Sequence, residues 1–261
     1  MKMKLWIPVL LFFFCAPVAN AATDNAPLAA DAPPRYEAEA EYTHESLDKG
    51  YQDWRAAWLR LQERSESGDT LYGGIRQTNR FSLADDEYQI GFVHPLAAPF
   101  SLAAELSLSP THNVFPRWSG FAEVDMALSG WVLAAGYRRT EYDQSQVNMG
   151  SFRVERYWGD LRGAYTFYPV TVENAGSVSS HAFRVDWYYA DRSFIGAGYA
   201  IGSEVENTGA AGLLSSDITE YLLTGRHYLM CGWLLIYEAG THRQSPFYTR
   251  NWLSLGIGRT F

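Results

Sequence analysis

Polar and apolar residues alternate with a period of two along most of the chain. Beginning at Arg35, one face carries Tyr36, Ala38, Ala40 and Tyr42, and the other Glu37, Glu39 and Glu41. Phe100, Leu102, Ala104, Leu106 and Leu108 oppose Ser101, Glu105 and Ser107, and Phe183, Val185, Trp187 and Tyr189 oppose Arg184, Asp186 and Tyr188. A helix would smear those faces together, whereas a strand keeps them apart. Segments of this kind recur near 35–45, 53–62, 70–80, 86–94, 100–109, 119–128, 131–142, 147–157, 161–171, 181–190, 193–202, 216–227, 233–243 and 251–261. They predict an all-β chain of about fourteen strands. The second to fourth are the least regular, which leaves twelve as the alternative.

Each segment is about ten residues, the length a tilted strand needs to cross a bilayer. Ser129-Gly130, Trp158-Gly159-Asp160 and Asp191-Arg192 read as tight turns, and 110–118, 172–180 and 203–215 as longer polar loops. Short turns at one end and longer loops at the other describe a transmembrane antiparallel β-barrel. Trp54, Tyr137, Tyr142, Tyr157, Trp158, Tyr168, Trp187, Trp233 and Trp252 fall near strand ends, as interfacial girdles require. A water-soluble sandwich or lipocalin-like barrel would not account for that placement. In the last segment Leu253, Leu255, Ile257 and terminal Phe261 share a face, broken by Arg259, which can snorkel near an interface.

The N-terminus changes the compartment. Lys2 and Lys4 precede an apolar stretch, Leu5 to Pro17, and Ala19-Asn20-Ala21 gives a small-x-small cleavage pattern. Residues 1–21 are therefore expected to be a signal peptide, 22–34 a flexible periplasmic leader and 35–261 the barrel. Cleavage removes Cys15 and leaves Cys231 as the one thiol, so neither a disulfide framework nor a cysteine-based metal site is available. A formal net charge of −8 opposes nucleic-acid binding, which needs a basic surface. Charged residues make up only 19%, below the usual quarter, and aromatics reach 15%, as suits a chain with a large lipid-facing area.

Ala135-Gly136-Tyr137-Arg138-Arg139-Thr140-Glu141-Tyr142 resembles the Gly-Tyr-Arg-x-Thr-x-Tyr segment of the YaiO family of outer-membrane barrels. Tyr157-Trp158-Gly159 and Tyr165-Thr166-Phe167-Tyr168 continue the match, and Phe115 to Asp125 fits more loosely. The resemblance covers about 131–168; beyond it the strand rhythm, total length and terminal Phe agree. It implies a Gram-negative outer-membrane location and a barrel fold, and carries no catalytic motif. A C-terminal aromatic after an alternating strand also resembles the targeting signal of such barrels. Phe261 is accordingly expected to be read by the barrel-assembly machinery.

If the apolar faces meet lipid, Glu37, Glu39, Glu41, Glu123, Asp125, Glu155, Asp186, Glu220 and Glu238 point inward, with Arg138, Arg153, Arg162, Arg184 and Arg226. Opposed acidic and basic walls would orient a polar solute in a hydrated lumen; the bland counterpart is a salt-bridge network that fills it. The reading is a non-enzymatic channel or envelope component handling polar solutes or envelope polysaccharide, with outer-membrane lipids and lipopolysaccharide as its surroundings. One alternative is a plugged structural or surface-interaction barrel. The other is an outer-leaflet enzyme modifying lipid or lipopolysaccharide. No cofactor, metal ligand set or catalytic residue is assigned. Six histidines form no HExxH or close ligand pair, and His181 beside Ser179 or Ser180 is the best nucleophile–base candidate. Gly196, Gly198 and Gly202 are not followed by a helix, so they are strand glycines rather than a dinucleotide loop. Cys231 is placed in a periplasmic turn, and loop 110–118 is expected to pack across the barrel mouth or contact a glycan.

Overall fold

The computed structural model describes residues 35–143, 145–190, 192–207 and 213–261. The expected signal peptide and leader lie outside them. The first seven strands are β1 (Tyr36–Leu47), β2 (Trp54–Arg64), β3 (Thr70–Arg80), β4 (Leu83–Pro95), β5 (Phe100–Leu108), β6 (Trp118–Leu128) and β7 (Trp131–Glu141). The second seven are β8 (Gln146–Trp158), β9 (Leu161–Val172), β10 (Gly176–Ala190), β11 (Ser193–Asn207), β12 (Leu213–Tyr228), β13 (Trp233–Ser245) and β14 (Tyr248–Thr260). Each pairs antiparallel with its sequence neighbours, and β1 pairs with β14, so the sheet closes on itself with fourteen strands rather than twelve. The seam runs from Glu37 opposite Thr260 to Leu47 opposite Arg250. The Tyr36 and Phe261 amides and carbonyls bond reciprocally at 2.9 and 3.0 Å. Closure leaves no row of unpaired backbone groups, the condition for strands to span hydrocarbon.

The side chains are sorted inside out. Leu59 and Leu61 are 62% and 66% exposed, while Asp186 is 0% exposed. Charge faces the barrel interior and aliphatic bulk faces outward, which only a lipid surround makes favourable. With strands about 4.8 Å apart and tilted about 40°, fourteen of them enclose a backbone cylinder roughly 28 Å across. Eight strands give an interior that side chains fill; fourteen enclose more.

The connections differ from expectation at one end. Ser129 and Gly130, at φ 25° and 80°, make the tight hairpin turn between β6 and β7. The stretch 172–180, however, is mostly strand: β9 runs to Val172 and β10 starts at Gly176. Its inward positions, Val170, Val172 and Val178, pack with Val147 and Met149, so the sheet continues where the outward serines suggested a loop. The expected loop 203–215 shrinks in the same way, since β11 runs to Asn207 and β12 starts at Leu213. The long connection that remains is 109–117, between β5 and β6.

The girdle also divides. Tyr137, Trp158, Trp187 and Trp233 are exposed on the outer wall. Trp54 and Trp252 are buried within the barrel, Tyr157 bonds Glu155 there, and Tyr142 and Tyr168 pack on the valine cluster. The inward rings lie flat over small residues: a Cβ added at Gly240 would fall 2.3 Å from the Trp252 ring. Glycine on the neighbouring strand is what gives the indole its place on the wall.

Candidate functional site: a charged barrel interior

The mid-barrel carries a continuous chain of opposite charges. Arg153 Nη2 donates to Glu123 Oε1 and Asp125 Oδ1, both at 3.0 Å, and its Nε lies 2.9 Å from Glu155. Glu155 is 3.7 Å from Arg162, whose Nε donates to Asp186 Oδ2 at 2.9 Å. Arg184 Nε completes the series by donating to the other oxygen of Asp186 at 2.8 Å. Acid and base thus alternate from β6 to β10. Beside them Arg138 joins Glu105 at 3.1 Å, and Tyr72 donates to the same carboxylate at 3.1 Å.

Toward the chain termini, Arg226 on β12 reaches past β13 and β14 to Glu37 and Glu39 on β1. Tyr228 donates to Glu37 at 3.0 Å, so this carboxylate has partners on both oxygens. The reach is possible because Gly256 and Gly258 stand in between; a Cβ on Gly258 would come within 3.3 Å of Glu39. Glu41 accepts from Ser254 at 2.6 Å, His242 Nδ1 lies 2.9 Å from Glu220, and Trp252 donates to Glu238 at 2.9 Å. Every carboxylate and arginine singled out from the alternation is therefore placed on the buried face with a bonding partner.

A further group lies at the opposite end and was not singled out. Glu45 takes Arg250 at 2.7 Å and Arg80 at 3.4 Å, and both guanidiniums approach the Trp54 ring, at 5.9 and 5.0 Å. Arg76 sits 2.9 Å from Glu87 and 5.1 Å from the Trp58 ring, with Arg60 on that ring at 4.9 Å. Of these, Trp54, Trp58, Arg60, Arg76, Arg80 and Glu87 belong to the irregular second to fourth segments, whereas Glu45 ends the first and Arg250 lies on β14. The signal in the irregular segments is inverted: Trp54 and Trp58 share the inward face with Arg60, so apolarity does not mark the lipid side there.

The pairs described above run along the wall. Their partners lie on strands at most three places apart, while the opposite wall is seven places away. Paired guanidiniums and carboxylates hold each other along the wall through charge-assisted bonds.

Of the serines beside His181, Ser180 faces the other way and Ser179 shares its outward face. His181 Nδ1 lies 2.8 Å from the Tyr165 hydroxyl on the outer wall, and Ser180 is buried on the other face of the same strand. Cys231 is exposed in the turn Met230–Gly232. In the turn between β2 and β3, hydrogen bonds from Ser67 and then from His94 hold the Asp69 carboxyl below its ordinary range.

Among solved structures, the chain resembles a bacterial polysaccharide outer membrane secretin at TM-score 0.55 and 10% identity, over 88% of this chain and 100% of that one. It resembles OpdQ of Pseudomonas aeruginosa at TM-score 0.53 and 8% identity, over 87% and 97%. Omp33 of Acinetobacter baumannii follows at 0.51 and 11%, over 87% and 98%. These likenesses are of fold. No curated protein matches the chain. The model of the YaiO membrane beta barrel domain matches residues 36–207, and with it the closed, inside-out sheet places the chain in the outer membrane as a member of the YaiO membrane β-barrel family.

Proposed function

We propose that the barrel is a passive conduit for polar solutes, with its charged wall as the selective surface. The observation that carries this is the direction of the ion pairs. A plugged barrel would tie opposite walls together, whereas Arg153, Arg162 and Arg226 each find their carboxylates on nearby strands. Carboxylates exceed guanidiniums in the mid-barrel chain, where Glu123, Asp125, Glu155 and Asp186 face Arg153, Arg162 and Arg184. Such a wall favours cations and hydroxyl-rich neutral solutes over free anions. One neighbour is described as a polysaccharide outer membrane secretin, which keeps envelope polysaccharide among the candidate solutes. Lipopolysaccharide would border the outer rim. Phe261, exposed and stacked on Tyr36 at 5.8 Å, is the residue we assign to recognition by the assembly machinery.

Single-channel recording of the refolded protein in a planar bilayer tests the conduit. Stable, salt-dependent conductance with a preference for cations is expected. Replacing Arg138 and Arg153 by glutamine should strengthen that preference. Insertion without conductance, or selectivity indifferent to both substitutions, would remove this reading.

A further inference from the structure

Loop 109–117 leaves Pro110, Thr111, Asn113 and Arg117 exposed but buries Phe115. Its ends are fixed by backbone bonds from Ser109 to Arg117 at 3.1 Å and from Arg117 to Glu141 at 2.8 Å. Its middle is drawn into the barrel by one carboxylate. Asp85, on the inward face of β4 and 1% exposed, accepts the Asn113 amide at 3.0 Å, the Val114 amide at 2.6 Å and the Phe115 amide at 2.8 Å. The Asn113 side chain adds a fourth bond at 2.9 Å. Three successive N–H groups converging on one anion form a nest, whose bonds to a full charge are about twice as strong as neutral ones.

The tether delivers one ring to the lumen. Phe115 is 6% exposed, 4.3 Å from the Arg76 guanidinium and 5.8 Å from that of Arg80. Arg80 ends β3 at the rim opposite the chain termini. Arg76 lies four residues farther in, roughly 10 Å deeper at the rise and tilt of membrane strands. The ring therefore sits below the rim, against guanidiniums already held by Glu45 and Glu87. A solute entering from outside meets it before the mid-barrel charges.

We infer that Phe115, held inward by Asp85, sets the size limit of the outer mouth. The inference rests on the conduit reading and adds to it the residue that decides which polar solutes pass. Nothing in the loop is needed to close the sheet, so the ring and its tether are separable from barrel formation.

The test is proteoliposome swelling with neutral mono-, di-, tri- and tetrasaccharides, for the unaltered protein, F115A and D85N. The expected result is that both variants pass the larger sugars severalfold faster relative to the monosaccharide, with monosaccharide entry little changed. A conducting barrel whose size ratio is the same in all three proteins overturns the constriction and leaves the conduit intact. A barrel that inserts but passes no sugar in any form overturns both. The tether is read separately by labelling F115C from outside with a membrane-impermeant maleimide. Adding D85N should speed labelling by at least about tenfold, since the amide nitrogen replaces an oxygen that accepts two of the four bonds. An unchanged rate shows that Asp85 does not hold the ring, and removes that half of the inference.

Discussion

Arg153 on β8 bonds Glu123 on β6 at 3.0 Å, across the intervening strand β7. Gly136 on β7 makes this possible: a Cβ there would fall 3.1 Å from Glu123 Oε2 and 2.5 Å from the Ser151 hydroxyl. Arg153 also serves Asp125 and Glu155, so one cation compensates three buried acids. Replacing it by glutamine leaves those acids facing each other and should cost about 3–5 kcal/mol, the usual result of breaking a buried pair from one side. Guanidinium-induced unfolding in detergent micelles measures this.

Gly240 lies under the Trp252 ring and within 2.4 Å of the Tyr221 carbonyl oxygen for an added Cβ. Backbone cannot yield as a side chain can, so G240A should destabilise the barrel by about 1–3 kcal/mol through overpacking. G159A is the control, since its Cβ would meet nothing within 4 Å. Its cost is limited to the positive φ of that turn, 59°. Heat-induced loss of the compact gel form compares the two, and equal midpoints would contradict the assignment.

Leu59 points outward from β2 between the inward Trp58 and Arg60. L59R should cost about 2–4 kcal/mol if it lies near the bilayer midplane, and progressively less toward either interface. Refolding yield into lipid vesicles reports the cost. A substitution as mild as one on the lumen wall would place Leu59 away from lipid.

Asp69 should titrate below the ordinary aspartate value of about 3.9. A depressed folded-state value means its stabilising effect is complete above that ordinary value and is lost as pH falls through the lower folded one. Carbon-detected NMR of the labelled protein reads the midpoint, and S67A should move it upward because the Ser67 hydroxyl supplies the strongest of its bonds.

The barrel was legible because the sheet repeats one rule. Where Glu39 alternates with Ala38 and Ala40, or Arg184 with Phe183 and Val185, the face toward lipid is plain. The rule blurs in β2 and β3, where Trp54, Trp58 and Tyr72 turn inward to lie on guanidiniums or over Gly91. Side-chain type then misreports direction, and Arg76 and Arg80 pass unnoticed, and with them the partner of Glu45 at the end of β1. Loop 110–118 was expected at the barrel mouth, but the anchoring of Phe115 was invisible for another reason. Its position depends on Asp85, separated from it by a whole hairpin, and no spacing in the sequence links a loop amide to a carboxylate on a distant strand. Pairings such as Arg226 with Glu37 are equally a product of closure, since they join strands from the two ends of the chain.

The seam between β1 and β14 has a consequence for how the molecule is made. Glu37 waits for Thr260 and Tyr36 for Phe261, so the earliest strand has no second neighbour until the last one arrives. Until then β1 and β13 each present a bare edge, and the Glu37–Glu39 site lacks its route to Arg226. A polypeptide stopped short of Tyr248 lacks the strand that closes this cylinder. Its β1 border stays unpaired, with Glu37 out of the reach of Arg226 and Glu45 without Arg250, a mark of the unfinished ring that depends on no particular sequence.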